Sequence, residues 1–294
     1  MNFNISYLVA TRNRLPFLKI TLEKLLRELK DDEEIVVVDG NSTDGAKEYL
    51  QNLFDRGKIH QFISEPDHNQ AHAWNKAMLM ANGIIIKKII DDDVFCYSAI
   101  RECKNLMLSN PEIDVCISNC LRTGLDQLSY INMASRLPEF NQWKAGEITC
   151  FTFSDAYLLI RRSALTYIGL YDTQFRMMDW EYALRCSYLK AKIAYYTGCT
   201  VLTVDTPGNI TSGATKAILK TEARIGKAKY GYKGDFADIP VWSKIKITIG
   251  KAINYQKHKE SQPIPALDDL PQVYDSLYLK LAQYNKEHQG GFLI

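Results

Sequence analysis

The chain has 294 residues, 46% hydrophobic and 24% charged, with a formal net charge of +2. This is the composition of a soluble globular protein and excludes collagenous or disordered chains, while the near-neutral balance gives no footprint for nucleic acid. The longest apolar run, Ile84–Ile90, is interrupted by Lys87 and Lys88, so no membrane-spanning segment is expected.

In chain order, two periodicities alternate through the first hundred residues. "ISYLVA" reads as a strand, and the helix after it places Leu18, Leu22, Leu25, Leu26 and Leu29 at helical spacing. "EIVVVDG" is a β-branched strand leading into "NSTDGAKEYLQNLF", where Ser42 or Thr43 is the expected helix cap. "IHQFISEPD" gives a third strand, "NQAHAWNKAMLMANG" a helix, "IIIKKII" a fourth strand and "SAIRECKNLMLSNPEID" another helix. Short strand–helix units of this kind predict an α/β fold with a mostly parallel sheet. Near-continuous apolar strands agree, since such strands are covered on both faces.

The second half is less regular. "AYLLIRRSALTYIG" reads as a strand turning into a helix, "DWEYALRCSYLKA" as a helix, and "KIAYYTGCTVLTVD" as two strand-like pieces. "GYKGDFADIP" reads as a linker, so the expected division is residues 1–230 and a helical extension over 231–294. The opening residues lack a basic stretch followed by an apolar core, so no leader is expected. The seven cysteines form no CxxC pair and do not cluster with the five histidines. A reducing, cytoplasmic location follows, and a zinc site does not.

Polar residues collect where strands end. Thr11 and Arg12 follow the first strand, Asp39 the second, Glu65 and Asp67 the third, and Asp91, Asp92 and Asp93 the fourth. In an open parallel sheet, ligands bind outside the carboxyl ends of the strands. No glycine-rich phosphate loop is present, so another group must balance any bound phosphate. Mg²⁺ or Mn²⁺ can do so, using one or two carboxylates together with substrate phosphates. On an extended segment Asp91 and Asp93 would share one side and Asp92 would point away. The plain alternatives are an acidic turn at Asp91–Asp93, a helix cap at Asp39 and a turn at Asp67.

The ordered series "VATRNR", "VVVDGNSTDG", "ISEPDHNQAHAWNKAMLMANG", "IIDDD" and "MMDWEYALR" resembles family 2 glycosyltransferases of the GT-A fold, over roughly the first 230 residues. It is similar to a branch, of bacterial surface-polysaccharide type, that carries S-E-P-D, N-K-x and an acidic metal motif. The resemblance implies that Thr11 and Arg12 border the nucleotide, Asp39 meets the base or ribose, and Asp67 lies beside the base. Asp91 would approach the ribose or the metal shell, Asp92 would count among the cofactor-binding residues, and Asp93, together with Asp91, would bind the divalent cation that bridges the diphosphate. Asp179 falls at the position of the catalytic base, with Glu181 close enough to share that role. "VDTPGNITSG" resembles a late loop over the diphosphate. The chain departs from the pattern at Gly40–Asn41, at His72, where an acid is common, and at Met178, where an acid often precedes the base.

The implied activity is inverting sugar transfer from a nucleotide sugar, a UDP-sugar foremost, to a glycan or lipid-linked acceptor. Two other readings are a metal-dependent nucleotidyltransferase and a non-catalytic sugar-nucleotide binder. The first calls for glycines after strand one, and "VATRNRLPF" has none; the second rests on Met178 alone. Between Thr211 and Glu260 eleven Lys and Arg stand against four acids, with Trp242 among them. That segment is expected to pack on the catalytic unit, the alternative being contact with the inner face of the cell membrane.

Overall fold

The computed structural model describes residues 3–207, 216–232 and 263–294. Four parallel strands form one half of the sheet: β1 (Ile5–Thr11), β2 (Glu33–Asp39), β3 (Gln61–Ser64) and β4 (Ile85–Ile89). Their crossovers are α1 (Leu15–Glu28), α2 (Ala46–Asp55) and α3 (Gln70–Met80), and α4 (Tyr97–Ser109) comes after β4. β2 and β4 bury every residue, as strands covered by helices on both faces must. Pro16 opens α1, where its missing N–H costs nothing and its fixed φ suits the first turn. The expected caps on α2 are not used. Gly45 (φ 91°) is its N-cap, because the Ser42 hydroxyl is turned inward to Asp39.

The remaining strands are β5 (Val94–Phe95), β6 (Val115–Gly124), β7 (Asn132–Ala134), β8 (Leu158–Arg161), β9 (Ile193–Asp205) and β10 (Phe292–Leu293). Helices α5 (Leu137–Lys144), α6 (Leu165–Ile168), α7 (Met178–Tyr188), α8 (Lys216–Tyr230) and α9 (Leu270–Glu287) complete the described residues. Strand order along the sheet is β10-β9-β6-β8-β4-β1-β2-β3. Strand order reverses at β1, whose neighbours are β2 on one side and β4 on the other. Thr11 pairs with Asp39, and Asp39 with Ser64, so these strand ends form a continuous rim. Val9 pairs with Ile89, which carries Thr11 alongside Asp91.

β9 is one strand of thirteen residues rather than two pieces. Its register against β6 slips on either side of Asn119, and the irregularity around Gly198 is what broke the sequence pattern. β6 carries Ser118 and Asn119 in its middle, and these polar residues hid it from a reading based on apolar runs. All seven cysteines are free thiols, six of them buried. No helix among the described residues is long and apolar enough to cross a membrane.

The C-terminal residues 263–294 are built into this architecture. Leu270, Tyr274, Leu277 and Leu281 recur on one face of α9 and bury against Val94, Leu202 and Val204. β10 adds an antiparallel edge to β9, pairing Phe292 with Tyr196. The basic segment around Trp242 lies outside the described residues.

Candidate active site

The acid triplet follows β4 in a tight turn, closed by the Asp93 amide donating to the Ile90 carbonyl at 3.2 Å. Alternation along an extended strand therefore does not apply, and the side chains sort differently from the sequence expectation. Asp91 and Asp92, not Asp91 and Asp93, converge on one group, the Arg14 guanidinium. Arg14 Nε donates to Asp91 Oδ1 at 3.0 Å, and its terminal nitrogen bonds Asp92 and, at 2.9 Å, Thr206 Oγ1. Thr11 Oγ1 donates to the other Asp91 oxygen at 2.7 Å. Asp93 turns toward β9, where Oδ1 accepts the Val204 amide at 2.9 Å. The turn is fixed from two sides: the Thr21 hydroxyl donates to the Asp91 carbonyl at 2.8 Å, and Tyr274 to that of Asp92 at 2.7 Å.

All three carboxylates are buried, and the cost falls on Asp91 and Asp93. Burial pushes the Asp91 carboxyl up to about 6 against the pull of Arg14. Burial and the neighbouring Asp92 push Asp93 well above the usual carboxylate range. Tyr274→Phe removes a buried hydroxyl from the Asp92 carbonyl. It should lower stability by about 1 kcal/mol, seen as a smaller urea midpoint at unchanged slope.

The rim beside the triplet holds the other expected residues. Asp39 is fully buried and held locally: it accepts the Ser42 amide at 3.1 Å, the Ser42 hydroxyl, and Ser64 Oγ at 2.7 Å. Arg12 is exposed and lies against Gly40 together with Asp67. A Cβ at Gly40 would stand 3.0 Å from Asp67 Oδ2 and 3.2 Å from Arg12 Cδ, so any other residue would make these two side chains shift. Lys76 pairs with Asp67 at 2.7 Å and Glu65 at 3.0 Å, and His72 Nδ1 lies 3.5 Å from Asp67. The neighbouring Asn75 is a strut. Its side chain donates to the Tyr171 carbonyl at 2.9 Å and accepts the Tyr171 amide at 2.8 Å, fixing the segment that leads into α7.

Asp179 is the second residue of α7. No side chain of its own segment caps this helix; Glu222 of α8 does so from outside, accepting the Arg176 and Met177 amides at 2.8 and 2.9 Å. Met178 is buried in the main core, which accounts for an apolar residue there. The Asp179 carboxyl is raised to about 6, chiefly by burial and then by Asp155, with Lys88 and backbone N–H groups at the helix start opposing the shift. Lys88 belongs to β4, three residues before Asp91, and its nitrogen lies 4.7 Å from the Tyr171 ring, which packs at 4.6 Å on Tyr182 of α7, so the start of α7 stands near the same strand end as the triplet.

Glu181 is engaged elsewhere. It is fully buried and bound to Arg185 at 2.7 Å, to the Tyr230 hydroxyl, and to Lys229 at 3.6 Å. Residues two apart in a helix point to nearly opposite sides, and Glu181 faces α8. Sequence reasoning missed Arg14, Thr206, Lys88 and Asp155. Arg14 was legible as the second arginine of "TRNR", and Thr206 as part of "VDTPG"; Asp155 carried no signal.

The model for Glycosyl transferase family 2 matches residues 6–169, more than half of the chain, and the chain belongs to this family. The matched region contains β1 to β4, the acid triplet and Asp155. Among solved structures, TarS of S. aureus is similar at 15% identity and a TM-score of 0.55, covering 87% of this chain. The chain spans 43% of that TarS chain. TarS 1-349 in complex with UDP-GlcNAc gives 16% identity and a TM-score of 0.58, over 98% of this chain and 93% of that one. The mannosyltransferase PcManGT from Pyrobaculum calidifontis, in complex with GDP-Man and Mn²⁺, gives 16% identity and 0.55 over 98% and 88%. At this identity the likeness is one of fold. No curated protein sequence matches the chain.

Proposed function

We propose that this glycosyltransferase moves a sugar from a nucleotide sugar, a UDP-sugar foremost, to a hydroxyl of a glycan or lipid-linked acceptor, with inversion at the anomeric carbon. The role is in building a surface polysaccharide from the cytoplasmic side. The observation that carries this reading is Asp179. A carboxyl raised to about 6 stands at a helix start near the strand end that bears the acid triplet. Such a group is ionised at neutral pH yet basic enough to accept a proton in the transition state.

In this reading the acceptor hydroxyl donates to Asp179, which takes its proton as the oxygen attacks the anomeric carbon. The nucleoside diphosphate departs from the opposite face. Thr11, Arg12, Asp39 and Asp67 line the rim on which base and ribose rest. The acid triplet fits a divalent cation, since Asp91 and Asp92 already hold a cationic stand-in, the Arg14 guanidinium. Among the described residues no three His, Cys, Asp or Glu side chains form a ready cage, so substrate phosphates would complete the coordination. Mn²⁺ or Mg²⁺ would be held by Asp91 and by Asp93, the latter leaving the Val204 amide to reach it, and would neutralise charge on the leaving diphosphate. Arg14, released from Asp91, then has an anionic partner in the same place.

The neighbours bind UDP-GlcNAc in one case and GDP-Man with Mn²⁺ in the other, so the base is open to test. In a thermal-shift panel of UDP, GDP and their sugars, one nucleotide at a hundred times its dissociation constant should stabilise the protein by about 2.7 kcal/mol, and only with Mn²⁺. Asp93→Ala should remove the metal-dependent part. A shift that survives the substitution would take the cation away from Asp93.

A further inference from the structure

β4 carries two consecutive lysines, both buried. Successive residues of a strand face opposite sides, so they serve different surroundings. Lys87 Nζ donates to the carbonyls of Lys88 at 2.8 Å and Ala156 at 2.6 Å and lies 4.9 Å from the centre of the Phe95 ring. Lys88 is ion-paired to Asp155, with the rings of Trp74 and Tyr171 at 4.1 and 4.7 Å from its nitrogen. Asp155 sits in the 3-10 turn that precedes β8, capped by Ser154, and its Oδ2 also accepts the Tyr171 hydroxyl at 3.1 Å.

A lysine buried this deeply is costly unless its charge has a purpose or a partner. One carboxylate would have been enough to balance it. Asp155 pairs with it directly, and Asp179 acts on it from the start of α7. That helix packs at this point: the Tyr171 ring, 4.7 Å from the lysine nitrogen, lies 4.6 Å from that of Tyr182, three residues along α7 from Asp179. Tyr171 also faces the set, but burial and Asp155 keep its phenol neutral. Glu222, from α8, is spent on the Arg176 and Met177 amides. The group around Lys88 is therefore two acids and one ammonium, enclosed by aromatic rings in a medium where charges interact strongly.

We propose that Lys88 and Asp155 are positioning residues that set the charge of Asp179, the ammonium being shared between the paired acid behind it and the base in front. This rests on the reading of Asp179 as the base. Its physical content is a pair of shifts of opposite sign. Without Lys88, two carboxylates are left facing each other with no cation between them. They would hold one proton between them, and Asp179 would ionise only at higher pH. Without the charge of Asp155, its repulsion of Asp179 is gone and the attraction of Lys88 is unopposed, so Asp179 would ionise at lower pH. A scaffold role for the pair predicts neither shift, only a loss of stability.

The test needs no substrate. Protein labelled with ¹³Cγ-aspartate is titrated by NMR between pH 4 and 9, with Asp179→Asn identifying the Asp179 resonance. Lys88→Met should raise the Asp179 midpoint by one unit or more, and Asp155→Asn should lower it by a similar amount. Unmoved midpoints, or shifts of the same sign in the two variants, would overturn the proposal. If Lys88→Met does not fold, the double variant Lys88→Met/Asp155→Asn, which removes the pair as a neutral unit, is titrated beside Asp155→Asn: the Asp179 midpoint should be higher in the double variant, and equal midpoints would overturn the proposal. Failure of the base reading is seen elsewhere, as sugar transfer that persists in Asp179→Asn, and leaves these midpoints as measured.

Discussion

Replacing Asp179 with asparagine should lower sugar transfer by about 10²- to 10⁴-fold, the usual contribution of a positioned base, while nucleotide binding stays unchanged. The same substitution should make the protein more stable at neutral pH. The Asp179 carboxyl is raised from 3.8 to about 6 in the folded chain, so folding holds its proton more tightly than the unfolded chain does. The stability this gives is fully present below pH 3.8 and is lost as the pH rises through 6. At pH 7.5 the ionised group is a burden on the fold. Asparagine lifts the burden, on the order of 1 kcal/mol, and melting curves of the two proteins should converge as the pH is lowered. A variant that loses activity and stability together would speak for a structural aspartate.

Glu181→Ala should have the opposite pattern. The carboxylate is fully buried among Arg185, Tyr230 and Lys229, and Arg185 also donates to the carbonyls of Ile168 and Leu170 at 2.8 Å. Removing one partner of a buried ion pair leaves the other uncompensated, a cost of about 3–5 kcal/mol. Chemical denaturation should report that loss, while transfer per folded molecule below the melting range should remain near wild type. Two acids separated by one residue thus divide sharply: Asp179 stands at the start of α7, and Glu181 fastens α7 to α8.

How far the sequence disclosed this site depends on distance along the chain. The parallel half of the sheet was readable because each strand is a short apolar run followed by a helix, and its rim residues Thr11, Asp39 and Asp91 fall at strand ends by position alone. The pairing inside the acid triplet was not readable, since it depends on whether residues 91–93 run extended or turn. Nor was the engagement of Glu181, whose partners Arg185 and Tyr230 meet it only after α8 has packed. Lys88 was noticed as an interruption of an apolar run. Its meaning waited on Asp155, 67 residues later and without any motif of its own. Met178 raised a doubt that packing answers, for the position is simply core.

The bond from Tyr274 to the Asp92 carbonyl joins residues 182 apart in the chain. Contacts of such long range close late, because the entropy of a large loop must be met before they give anything back. A growing chain could pair β1 to β4 well before α9 has been synthesised, leaving the acid turn without its cover. The proposed site would then mature only when α9 docks, and its readiness would lag behind compaction during synthesis.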